Sequence, residues 1–121
     1  MPDPSPPIPQ AASEALAALE RYQLHLRQMA TGGVDAELYH RVSLDIQEVR
    51  RCCHEVHALS AGWVALLIAH AELSQALWRT GHPQDAPAAQ ERQRLAAHVV
   101  DCVRALQQEC MDLLGRREGW Q

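Results

Sequence analysis

Apolar residues recur at helical spacing along most of the chain. In the first stretch the stripe is Ala15, Leu19, Tyr22, Leu26 and Met29, stepping by four and three. It predicts a helix from about Ala11 or Ser13 to Ala30, closed by Thr31-Gly32-Gly33, where glycine supplies the left-handed cap. Asp35 then reads as the N-cap of a second helix with the stripe Leu38, Val42, Ile46, Val49, Cys53 and Val56, ending near Leu59. The same phase continues through Ser60, Trp63, Leu67, His70, Ser74 and Leu77, with no proline between. One helix from Asp35 to Arg79 would be about 67 Å long at 1.5 Å per residue, whereas a 121-residue domain has a radius of gyration near ~14 Å. A turn or strong kink at Ser60–Gly62 is therefore expected, with one long or kinked helix as the alternative. Thr80-Gly81-His82-Pro83-Gln84-Asp85 reads as a loop, and Ala86 to Leu114 as a last helix ended by Gly115.

These elements predict an all-α fold, an antiparallel four-helix bundle. Five of the seven prolines fall within the first nine residues. Residues 1–10 accordingly read as a proline-rich flexible tail and 11–121 as a single helical domain. Composition agrees: 19 Ala and 15 Leu accompany Gln, Glu and Arg, all good helix formers. There is no Lys, Phe or Asn, a pattern of a GC-rich, bacterial coding bias. A net charge of −4 argues against a nucleic-acid partner. The most apolar run, Ala58 to Ala71, is shorter than the ~20 residues a spanning helix requires. The proline-rich start carries no basic-then-apolar leader. The expectation is a cytoplasmic protein without a membrane partner.

Chemistry is sparse. Cys52, Cys53, Cys102 and Cys110 form no Cys-x-x-Cys, so no metal and no cofactor is expected. Cys53 and Cys102 lie on the stripes and should be buried and reduced. Helical phase puts His54 and His57 on the polar face of the second helix with Ser43, Gln47 and Arg50, and His98 on the polar face of the last. His70 differs, since it falls among Trp63, Leu66 and Leu77, one turn before Ser74. It reads as a buried neutral imidazole, bonded to Ser74 or to a group across the bundle. No phosphate loop, nucleophile elbow or di-iron pattern is present.

The stretch Asp45 to Ser60, with Arg50 and Arg51 one turn before His54, resembles the acceptor helix of histidine-containing phosphotransfer domains. That resemblance implies a helical bundle with His54 as phosphoacceptor, Val56 as the apolar position after it, and His57 and Ala58 where the family has Lys and Gly. The other reading is a non-enzymatic interaction or oligomerisation module. Leu24 lies opposite the first stripe, and Leu44 and Leu114 lie at stripe edges, so apolar surface is left over. They are the interface candidates. The partner expected is a second copy, as a homodimer, or another helical protein.

Overall fold

The computed structural model describes residues 8–32, 35–54, 56–79 and 86–118. Four α-helices follow in order: α1 (Ile8–Gly32), α2 (Ala36–His54), α3 (Ser60–Arg79) and α4 (Ala86–Glu118). A single 3₁₀ turn, His57–Leu59, joins α2 to α3. Among the described residues no strand occurs, and no helix is long and apolar enough to cross a membrane. The protein is an all-α helical bundle. The loop expected at Thr80–Asp85, the cap at Asp85, and residues 1–7 of the expected tail lie outside the described residues.

Packing places α1 against α2 and α4, and α3 chiefly against α4. Thus α1 and α3 stand diagonally across the bundle, as do α2 and α4. Between α1 and α2 the paired residues run in opposite order, with Glu14 meeting Arg51 and His25 meeting Asp45. The inner face of α1 is mostly small: Ala11, Ala12, Ala15 and Ala18 are buried beside Leu19 and Tyr22. Alanine costs no side-chain entropy in a helix and lets neighbours come close. Val42, Ile46, Val49, Val56 and Leu59 fill the core from the second side, Leu66, Ala69 and Leu73 from α3, and Leu95, Val99, Val103, Leu106 and Cys110 from α4. Asp35 caps α2 as its position suggests. Its Oδ1 accepts the Glu37 N–H at 2.9 Å and its carbonyl the Tyr39 N–H at 2.8 Å.

Three boundaries differ from the expectation. Helix α1 begins at Ile8, so residues 8–10 belong to the helix and not to a tail. Burying Ala11 and Ala12 requires a helical turn ahead of them, and Pro9 is compatible with a first turn, where its missing N–H has no partner to lose. The break between α2 and α3 comes at Val56, not at Ser60–Gly62. Val56 is extended, with φ −113° and ψ 99°, and both it and Leu59 turn into the core. Ser60 to Gly62 instead form the first turn of α3. The reason for Gly62 is proximity, since a Cβ there would stand 2.8 Å from Glu109 Oε2 and 3.0 Å from Leu106 Cδ1 of α4. Gly115, finally, does not stop α4, which continues to Glu118 through Arg116 and Arg117. The ~1 kcal/mol that glycine costs inside a helix is outweighed there by good helix formers on both sides.

Candidate functional site

Tyr22, His70, His25 and Asp45 bring polar groups into the interior of this bundle. Tyr22 follows Ala18 and Leu19 on the inner face of α1 and is fully buried. Its hydroxyl lies 2.7 Å from His70 Nδ1 on α3, and the rings meet edge-on at 5.5 Å. This bond spans the diagonal, which only long side chains reach. Burial pushes the Tyr22 phenol well above its ordinary range, and the charges of Cys102 and Asp45 push in the same direction. Burial also lowers the pKa of His70. Both groups are therefore neutral near pH 7. The phenol O–H donates to Nδ1, and the imidazole carries its own proton on Nε2.

Beside this pair, His25 on α1 hydrogen-bonds through Nδ1 to Asp45 Oδ2 on α2. Arg21 Nε approaches the other oxygen, Oδ1, at 3.9 Å. Asp45 is the one buried charged residue among those described, at 7% exposure. It sits three residues after Val42 and four before Val49, on the apolar stripe itself. A further polar contact joins α4 to α1, where the Gln107 amide donates to Gln23 Oε1 at 3.4 Å. The arrangement fixes the helices against one another.

The residues singled out by sequence lie elsewhere. His54 is the last residue of α2 and His57 the first of the 3₁₀ turn, and both are exposed, as is Arg50. Val56 between them points inward. Arg51 is held by carboxylates: its Nη2 donates to Glu48 Oε1 at 2.5 Å and to Glu14 Oε2 at 3.3 Å. The same guanidinium holds the Glu48 carboxyl below its usual range. His70 takes its partner across the bundle, and among the described residues no hydrogen bond joins it to the half-buried Ser74. Leu24 and Leu44 are about half exposed, whereas Leu114 packs against the core and leaves little surface to offer.

The four thiols are free. Cys53 is buried as expected, together with Cys52 and Cys110, and burial raises Cys53 to about 12 and Cys110 to about 11. Cys102 departs from the expectation. It is half-exposed at the α3–α4 seam, its Sγ 3.8 Å from the Ala65 carbonyl and 3.9 Å from His98 Nε2. The stripe rule fails there because Val99, Val103 and Leu106 already fill the inner face of α4. A shallow cleft at the same seam is lined by Glu72, Arg94, Leu95, His98 and Asp101. Among the described residues no group of three or more His, Cys, Asp or Glu is placed to hold a metal ion.

Arg21, Tyr22, His25 and Asp45 were not reached by sequence reasoning as a site. An acid on an apolar stripe was the available signal, because burying a carboxylate requires a partner. Compared with protein-family models, with curated proteins and with solved structures, the chain matches none.

Proposed function

We propose that this chain is a non-enzymatic helical interaction module that associates with a second copy of itself, through a contact that includes the outward face of α3. The observation that carries this reading is the exposure of Val64, Leu67 and Ile68, at 48%, 41% and 56%, on the side of α3 away from the core. From Ser60 to Arg79 only Glu72 and Arg79 carry full charges. A helix with so few polar positions buries most of its circumference, yet α3 has one side in water, where Glu72 and Gln75 interrupt the apolar surface. Elsewhere the exposed large apolar residues are scattered, with Ile8 and Leu24 on α1, Leu44 on α2 and Met111 on α4. A standard interface buries about 800 Å² per partner, more than three side chains supply, so neighbouring α4 must take part.

Sedimentation equilibrium tests the reading. The wild type should run at twice the chain mass at micromolar concentration. Ile68→Glu should return it to the monomer with unchanged helicity. A wild type that stays monomeric at high micromolar concentration refutes the proposal.

A phosphoacceptor role for His54 is the second reading, favoured by the exposure of its imidazole beside the exposed Arg50. Incubation with acetyl phosphate would label the wild type and not His54→Gln; equal labelling of the two excludes it.

A further inference from the structure

The polar end of the α3–α4 seam holds a pair of donors that neither the core nor the Tyr22–His70 bond uses. His98 and Cys102 are one turn apart on α4, with Nε2 and Sγ separated by 3.9 Å. A tetrahedral zinc ion bound through about 2.05 Å to nitrogen and 2.3 Å to sulfur holds those two atoms about 3.6 Å apart. A few tenths of an ångström of side-chain adjustment would bring the pair to chelating distance. No third ligand group stands with them among the described residues. His98 is exposed and Cys102 half-exposed, so a second copy can reach the pair.

We propose that His98 and Cys102 form half of a zinc-class metal site that a second copy of this chain completes, giving two Cys and two His around one ion. This rests on the self-association proposed above, and it specifies where the two-fold axis passes. A C2 axis through the ion brings the same pair from each copy, which is how a two-donor surface becomes a closed four-donor site. The surroundings suit such a contact. The Ala65 carbonyl lies 3.8 Å from Sγ, and the exposed Ala65 is too small to screen the pair. The carboxylates of Glu72 and Asp101 line the cleft that His98 shares. Arg94 in that cleft is turned to Glu91, with bonds of 2.6 and 3.0 Å, which neutralises the nearest cation. Binding replaces each S–H proton by an S–metal bond and releases it to solvent. Two protons leave per ion, and the histidines bind through the Nε2 lone pair.

The test uses the full chain, reduced and stripped of metal, titrated with cobalt(II) as a spectroscopic probe and with zinc(II) in sedimentation equilibrium. The expected result is a thiolate-to-cobalt charge-transfer band with the intense visible bands of a tetrahedral site, saturating at one ion per two chains. Zinc should tighten the dimer at least tenfold. Cys102→Ser and His98→Gln should abolish the band with helicity intact. His98→Gln changes an exposed side chain, and so keeps the test valid if the cysteine variant misfolds. His54→Gln/His57→Gln should keep the band. Absence of the band overturns the inference; if the chain still dimerises in chelator, the interaction reading stands without it. One ion per chain with no change in mass also overturns it. A chain that is monomeric with and without zinc and shows no band defeats both.

Discussion

Tyr22→Phe removes one oxygen from the centre of the bundle and leaves the ring to fill the same space. The lost bond is short, 2.7 Å, and its donor is fully buried. A hydrogen bond of this kind contributes about 1 kcal/mol net, and the half-buried Nδ1 left behind adds a desolvation cost of about 1–3 kcal/mol. Phenylalanine recovers part of this, since no hydroxyl is then taken out of water. The balance is a loss of about 2 kcal/mol. With a urea m-value of about 1.5 kcal/mol/M, the midpoint at pH 7.5 should fall by roughly 1.3 M with m unchanged. His70→Leu alone strands the buried Tyr22 hydroxyl and should cost a similar amount. The double variant leaves neither group unpaired, so it should be about 1–2 kcal/mol more stable than the sum of the singles predicts. The assay is urea unfolding followed by circular dichroism at fixed protein concentration for all four chains. Additivity within about 0.5 kcal/mol would refute the claim that these two side chains act as a pair.

Two further expectations follow from the same centre. His70 has a depressed pKa in the fold, so the unfolded chain takes up its proton first. Stability is then full well above pH 6.5 and falls as the pH drops through the unfolded value toward the folded one. The wild type should lose more stability than His70→Leu between pH 7.5 and 5.5, the other six histidines being common to both; parallel profiles would contradict this. Asp45→Ala deprives His25 of its carboxylate in a nearly buried setting and should cost about 2 kcal/mol or more in urea unfolding. Glu48→Ala, which removes one of the two carboxylates on the exposed Arg51 and a long Cys52 contact, should move the midpoint far less, and equal shifts would show that burial is not what gives the Asp45 pair its weight.

The helices were legible because burial selects residues at helical spacing, and the Leu19–Tyr22 and Val42–Ile46–Val49 stripes are the buried ones. What periodicity reports is which side of a helix faces inward, not whether the helix is continuous. The stripe read across Val56, where the backbone is extended, does not mark the inner face of α3: its members Ser60 and Leu67 are exposed, and Leu66, Ala69 and Leu73 are buried instead. Gly62 misled for a related reason. Glycine serves both sharp turns and close approaches, and only the position of Glu109 and Leu106 on α4 decides between them. His70 was recognisable as an inward polar group from phase alone. Its partner was not, because Tyr22 lies 48 residues away on a diagonal helix. His25 and Asp45 belong to the same class, with each half visible on its own helix and the pairing set by how α1 meets α2.

The position of the Tyr22–His70 bond bears on how α3 comes to present an apolar surface at all. Val64, Leu67 and Ile68 would fill a core about as well as Leu66, Ala69 and Leu73, so apolar packing alone leaves the rotation of α3 weakly determined. Two polar features restrain it: the exposed Glu72 and Gln75 lie on the same side as Ile68, and His70 lies on the other. Turning α3 to bury Ile68 would carry the imidazole away from Tyr22 and strand a phenol that is fully enclosed, at a cost of about 1–3 kcal/mol. The diagonal hydrogen bond and the exposed Glu72 together select the rotation in which Val64, Leu67 and Ile68 stay outside. The contact of Cys102 with the Ala65 carbonyl sits on the α4 side of the same helix, so that rotation also sets which backbone borders the His98–Cys102 pair. The polar centre and the apolar surface are two consequences of one choice. A variant that loses the first should lose the definition of the second, even where the helices themselves survive.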